Sequence, residues 1–180
     1  MKHDVILNQV TIETDRFVLR PLRTSDAGLL ALYADDVRVA RMTRDIPHPL
    51  PPGAVEAFIS RAQSPDRTED VWVIDGLSHG LSEVLGVISL ERMENDQSEI
   101  GYWVAPAFWN SGIASTAVKA MVEANPLQNR TIFAEVFQDN PGSAQVLTRA
   151  GFAYVGDAEG FSVARGATVP TWTYLRKMDD

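Results

Sequence analysis

The residues best placed to do chemistry lie between Glu99 and Ala117. A β-rich run, Glu99-Ile100-Gly101-Tyr102-Trp103-Val104, stops at Ala105-Pro106 and gives way to Trp109-Asn110-Ser111-Gly112-Ile113-Ala114 at the head of a helix. A strand, a tight turn and a helix start make an anion site. The first helical N–H groups have no intrahelical acceptor, and the helix dipole puts partial positive charge there, so backbone alone can bind a phosphate. Gly112 lets the chain approach that phosphate closely, and Asn110 and Ser111 offer side-chain donors.

Composition narrows the partners of such a site. At 180 residues with 45% apolar content, the chain is expected to form one domain over residues 1 to 180 with a substantial core. A net charge of −8 and a pI near 4.8 argue against nucleic acid, whose phosphates need clustered Lys and Arg. The absence of cysteine removes disulfides, a thiolate nucleophile and zinc-finger spacing, and His3, His48 and His79 are too scattered to suggest a metal site. Met1-Lys2-His3-Asp4 does not open a signal pattern and no apolar run approaches a membrane span, so a cytoplasmic protein with no membrane partner is expected.

The elements that must hold the turn follow from periodicity. Thr11 to Leu22 reads as a first strand closed by Pro21, and Thr24-Ser25-Asp26 supplies N-cap chemistry for a helix carrying Ala27, Leu30 and Ala34. A short helical piece over Val37 to Met42 comes next. Ile46 to Pro52 holds four prolines and must be an ordered loop, before a helix over Gly53 to Ala62. Val71 to Asp75, Val84 to Leu90 and the strand from Glu99 read as a meander. The helix after Gly112 buries Ala114, Ala117, Val118, Met121 and Val122 and ends before Pro126. Thr131 to Phe137 is a strand, Asn140 caps a helix with Pro141 at its first position, and Gly151 ends it. Phe152 to Val155 and Thr171 to Arg176 complete the sheet, the latter able to pair within the chain or across a homodimer. The class is α+β, or mixed α/β, with a single mixed central sheet flanked by helices.

In this order the elements, the turn from Asn110 to Ala114 preceded by Gly101-Tyr102-Trp103-Val104, and the later Asn140-Pro141-Gly142-Ser143 with Gly151-Phe152 resemble the GNAT superfamily of acetyl-CoA-dependent N-acetyltransferases. The opening Thr14-Asp15-Arg16-Phe17-Val18-Leu19-Arg20-Pro21-Leu22, with Asp26 after it, resembles its Rim-type branch, which acetylates N-terminal amines of ribosomal proteins. The resemblance implies that acetyl-CoA is the cosubstrate and that Asn110, Ser111, Gly112, Ile113, Ala114 and Ser115 hold its pyrophosphate. It further implies that Tyr102, Trp103 and Val104 meet the pantetheine arm through backbone groups, and that Asn140 contacts the same arm. Trp109 stands where other branches carry Gln or Arg, and Asn110-Ser111 replaces the commoner glycine-plus-cation, a loss expected to lower CoA affinity.

Amide formation needs a neutral amine, a polarised thioester carbonyl and a proton for the leaving thiolate. A chain-terminal amine is roughly 10–15% neutral at pH 7, a Lys side chain only about 0.04%, so the former demands less of a base. Alternation puts Glu99, Gly101 and Trp103 on one side of their strand, where the family often uses a water-relayed carboxylate. Glu99 is therefore the first candidate base, with Glu135 and Asp139 as alternatives; a solvated strand-end carboxylate is the plain structural reading. The Val104 N–H would meet the oxyanion. Where many family members place a tyrosine for the thiolate this chain has Leu147, and the Rim-type branch places a serine at Ser143, which is assigned that task or else only caps its helix.

The expected function is transfer of acetyl to a primary amine, foremost a protein or peptide N-terminus, by direct attack in a ternary complex. A polyamine, amino-sugar or antibiotic acceptor is the alternative within the enzyme class, and a non-catalytic acyl-CoA-binding module the alternative outside it. Acceptor identity is expected in loops 43 to 53 and 157 to 171. His48 in the proline loop reads as surface, and Trp72, Trp103, Trp109 and Trp172 read as core before pocket.

Overall fold

The computed structural model describes residues 8–178. The chain begins with β1 (Ile12–Glu13) and β2 (Val18–Pro21), continues through α1 (Ala27–Ala34), α2 (Val37–Ala40) and α3 (Ala54–Ala62), and returns to β3 (Glu69–Asp75). The second half alternates: β4 (Gly86–Arg92), β5 (Gln97–Val104), α4 (Ile113–Ala124), β6 (Thr131–Phe137), α5 (Pro141–Arg149), β7 (Ala153–Ser162) and β8 (Ala167–Lys177). All eight strands lie in one sheet in the order β1-β2-β3-β4-β5-β6-β8-β7. Among the described strands only β5 and β6 pair in parallel, with α4 making the crossover between them.

Apolar alternation divides the core by sheet face. Ile100, Val104, Ile132, Ala134 and Val136 pack with Ala117, Val118 and Met121 of α4 and Leu147 of α5. The opposite face packs Val71, Val73 and Val87 against Leu30 of α1 and Val55 and Ile59 of α3, with Trp103 partly buried there. On β5 this sorts Ile100, Tyr102 and Val104 to the α4 side and Glu99, Gly101 and Trp103 to the other.

The run Thr11 to Leu22 is a two-strand hairpin rather than one strand. Thr14 forms the bend: its Oγ1 accepts from Arg16 N–H (3.2 Å) and Phe17 N–H (3.1 Å), and its own N–H donates to the Phe17 carbonyl (3.0 Å). Asp26 is structural. It grips the buried Arg20 guanidinium at 2.8 and 3.0 Å while Asp75 takes its Nε at 2.7 Å, tying β2 to β3 and to the entry of α1.

The C-terminal third departs furthest from expectation. Residues 157 to 171 are mostly strand, since β7 and β8 form a long hairpin with a bulge between Tyr154 and Gly156. β8 is flanked by β6 and β7, so Thr171 to Arg176 is spent on pairing inside the chain, and β7 is the sheet edge.

Candidate active site

The site begins where β5 and β6 part. Their register covers only Gln97↔Thr131, Ser98↔Ile132 and Glu99↔Phe133, whereas β4 pairs with β5 up to Gly86↔Val104. Ala105 N–H donates to the Leu85 carbonyl (2.9 Å) and Met93 N–H to the Gln97 carbonyl (2.9 Å). Odd-numbered residues of β5 therefore spend their backbone groups on β4, and Tyr102 and Val104 turn theirs toward the gap. Trp103, one of the expected backbone contacts, is committed to β4 instead. Trp109 fills one position at the open edge, its indole Nε1 donating to the Val104 carbonyl at 2.6 Å. The approach of β4 that sets this geometry depends on Gly86, where a Cβ would lie 2.2 Å from the Trp103 carbonyl oxygen.

The gap leads to the N-terminus of α4. Asn110 (φ 58°) and Gly112 (φ 79°, ψ 8°) are both left-handed at the entry to α4. The Gly112 carbonyl accepts from Thr116 N–H (3.0 Å), so the amides of Ile113, Ala114 and Ser115 precede the first intrahelical donor. No side chain caps them and the first turn carries no carboxylate. Ser111 does not add a free donor to this set, because its hydroxyl is given to the Phe108 carbonyl.

A cation is present after all, from the other end of the chain. Arg16, held by the Thr14 bend, brings Nη1 to 3.1 Å from where a Cβ on Gly112 would stand. Arg16 is half-buried, and no ion pair or hydrogen bond holds its guanidinium among the described residues. The sequence offers a signal for this arginine only through its place in the opening Thr14-Asp15-Arg16-Phe17 run; its proximity to Gly112 is a product of the fold.

On the opposite face, Glu99 is not a solvated strand-end carboxylate. Arg44, in the loop between α2 and α3, places Nη2 2.5 Å from Glu99 Oε2 and Nη1 3.4 Å from Glu135 Oε2. Burial raises the Glu99 pKa above the ordinary carboxylate value, with the Arg44 charge pulling the other way. Glu135 Oε1 is buried without a hydrogen-bond partner and lies 2.8 Å from the Cβ position of Gly160. Asp139 is withdrawn from this chemistry: Arg165 binds it at 2.7 and 3.1 Å, and those hydrogen bonds lower its pKa. Arg165 also donates to the Arg41 carbonyl, and Val163 N–H donates to the Arg44 carbonyl (2.9 Å), so the β7–β8 tip and the loop after α2 are stitched together over Glu99 and Glu135.

Across the gap from β5, Asn140 caps α5 by accepting from Ser143 N–H at 3.4 Å. The Ser143 hydroxyl is 2.7 Å from the Tyr102 hydroxyl, a side-chain contact the sequence did not announce. Leu147 is fully buried in the core. His48 is exposed, Trp72 is buried in the core, and Trp172 is partly buried against that core cluster.

A strand with a free edge, a helix start without a competing anion and a pair of carboxylates behind them fit a thioester cosubstrate. The acetyltransferase (GNAT) domain family matches residues 16–153, and the chain belongs to that family of acetyl-CoA-dependent N-acetyltransferases. It is 24% identical over 175 residues to the uncharacterized N-acetyltransferase p20 of Bacillus licheniformis, covering 91% of this chain and 94% of that one. Its fold matches the ribosomal L7/L12 alpha-N-protein acetyltransferase RimL in complex with coenzyme A, with TM-score 0.78 and 22% identity over 94% of this chain and 99% of the other. It also matches spermidine N-acetyltransferase from Vibrio cholerae in complex with CoA and spermine, with TM-score 0.73 and 17% identity over 90% and 96%. Among the described residues, no helix is long and apolar enough to cross a membrane.

Proposed function

We propose that this chain acetylates the N-terminal amine of a protein or peptide by direct attack on acetyl-CoA. The observation that carries the reading is the open edge of β5 running into the uncapped start of α4. The pantetheine amides pair with the Tyr102 and Val104 backbone, the pyrophosphate sits on the amides of Ile113, Ala114 and Ser115 beside Gly112, and Asn140 flanks the arm. Arg16 supplies the cation that Asn110 and Ser111 do not.

The amine nitrogen attacks the acetyl carbon and the oxyanion takes the Val104 N–H. The carbon–sulfur bond then breaks with its electron pair on sulfur, where the Ser143 O–H meets it. The amine proton leaves toward the Glu99–Glu135 pair. Glu99 lies three residues from Tyr102 and five from Val104, roughly 10 and 17 Å at the strand rise, so the proton travels through water rather than directly. Arg44 bridges the two carboxylates, and Glu135 Oε1 is the oxygen with no hydrogen-bond partner to lose. No covalent enzyme intermediate is needed. A weak base of this kind suits a terminal amine, roughly 10–15% neutral at pH 7, better than an alkyl ammonium.

One observation favours a polyamine as second reading. Glu69, Glu91 and Glu99 stand directly opposite one another on three adjacent strands, with Glu135 on the next, an arrangement costly to the sheet and attractive to a polycation. A thiol-release assay with N-terminal peptides and with polyamines separates the two: turnover confined to peptides supports the first reading, and turnover confined to polyamines replaces it.

A further inference from the structure

Tyr102 points from β5 toward α5, and its hydroxyl spans the gap to a residue 41 positions later. It lies 2.7 Å from Ser143 Oγ and 3.1 Å from the Ser143 carbonyl oxygen. A phenol has one proton to give. Given to the carbonyl, it would merely strap α5 to β5; given to the hydroxyl, it dictates where the serine proton points. The shorter distance is the one to Oγ.

We propose that Tyr102 is a positioning residue for thiol departure: its hydroxyl donates to Ser143 Oγ and turns the serine proton toward the sulfur at the open edge of β5. The inference rests on the reading of Ser143 above. As the carbon–sulfur bond breaks, negative charge grows on sulfur, the Ser143 O–H donates to it, and the Tyr102 O–H donates to Ser143, each donor polarising the next. Neither residue gives up its proton. Burial pushes the Tyr102 pKa up to about 12, so ionising it is unfavourable, and the thiolate takes its proton from water. The proton that the amine gives to the carboxylate pair passes on from there to water, which balances the reaction. The pair acts as an electrostatic relay rather than an acid.

Bound coenzyme A tests this without any acceptor. A donor aimed at sulfur stabilises the thiolate and lowers the thiol pKa, which is read from thiolate absorbance during a pH titration. The thiol of coenzyme A should ionise at lower pH on the wild-type protein than on Tyr102→Phe or Ser143→Ala, and the double variant should match Ser143→Ala alone. In turnover, Tyr102→Phe should lower kcat about tenfold while leaving KM for acetyl-CoA within about twofold, as expected for a donor acting only on developing charge. An unchanged thiol pKa in Tyr102→Phe beside a raised one in Ser143→Ala overturns the role of Tyr102 and leaves the serine in place. An unchanged value in both overturns the serine reading as well, and failure of the wild type to bind coenzyme A overturns the site.

Discussion

Arg44 reaches Glu99 Oε2 at 2.5 Å and Glu135 Oε2 at 3.4 Å, one guanidinium closing over two carboxylates on adjacent strands. The contact bears on the protonation of Glu99. Burial raises the Glu99 pKa and Arg44 opposes the rise, so removing the cation leaves burial unopposed. A base works only when ionised. Arg44→Gln should therefore move the acid limb of kcat/KM to higher pH, and Glu99→Gln should lower kcat/KM about 10²-fold, the usual scale for a positioned base. A pH–rate profile of each variant checks both; an acid limb that moves to lower pH in Arg44→Gln contradicts the assignment.

Arg16 and Gly112 meet across 96 positions of sequence. If the guanidinium faces the pyrophosphate, Arg16→Ala should weaken coenzyme A binding about five- to thirtyfold, the scale of one charge-assisted hydrogen bond at a partly exposed site. The wild type should also lose affinity more steeply with salt than the variant. Isothermal titration at two ionic strengths reads both, and equal affinities would reduce Arg16 to a packing residue.

At Gly86 the argument is steric. A methyl group there would meet the Trp103 carbonyl oxygen at 2.2 Å and the Val104 Cα at 2.9 Å, both rigid backbone, so β5 must shift at the point where it presents Val104 to the gap. Gly86→Ala should destabilise the fold by about 1–3 kcal/mol and lower kcat further than the lost folded fraction explains. Denaturant titration beside turnover separates the two effects.

Asp26 should behave in the opposite way. Asp26→Ala leaves the buried Arg20 with Asp75 at 2.7 Å and the more distant, partly exposed Glu83 at 3.9 Å, and is expected to cost about 3–5 kcal/mol of stability. Activity per folded molecule should stay near wild type, because neither residue touches the gap. A selective loss of turnover in folded Asp26→Ala would show that the network bears on the site.

The sheet was legible where apolar residues alternate or recur at helical spacing. The strand Thr131 to Phe137 came out with the expected bounds, and α3, α4 and α5 within a residue or two. Periodicity failed where it carries little signal. β7 is an edge strand exposed on most of its length, so Gly156, Asp157, Glu159 and Gly160 read as loop although β8 pairs with all of them. Thr14 bends the first strand into a hairpin through its side chain, which no alternation records. Within the site, the turn at Gly112 and the cap at Asn140 are local and were readable. Arg16 at Gly112, Arg44 at Glu99 and Tyr102 at Ser143 join residues 41 to 96 positions apart, and only the assembled sheet brings them together.

The most direct test of the central claim is calorimetric titration of the protein with acetyl-CoA, followed by thiol release over N-terminal peptides, polyamines and amino-sugars. Micromolar binding with release on N-terminal peptides is the predicted result. No binding would mean that the start of α4 is only a turn and that the open edge of β5 holds no cosubstrate.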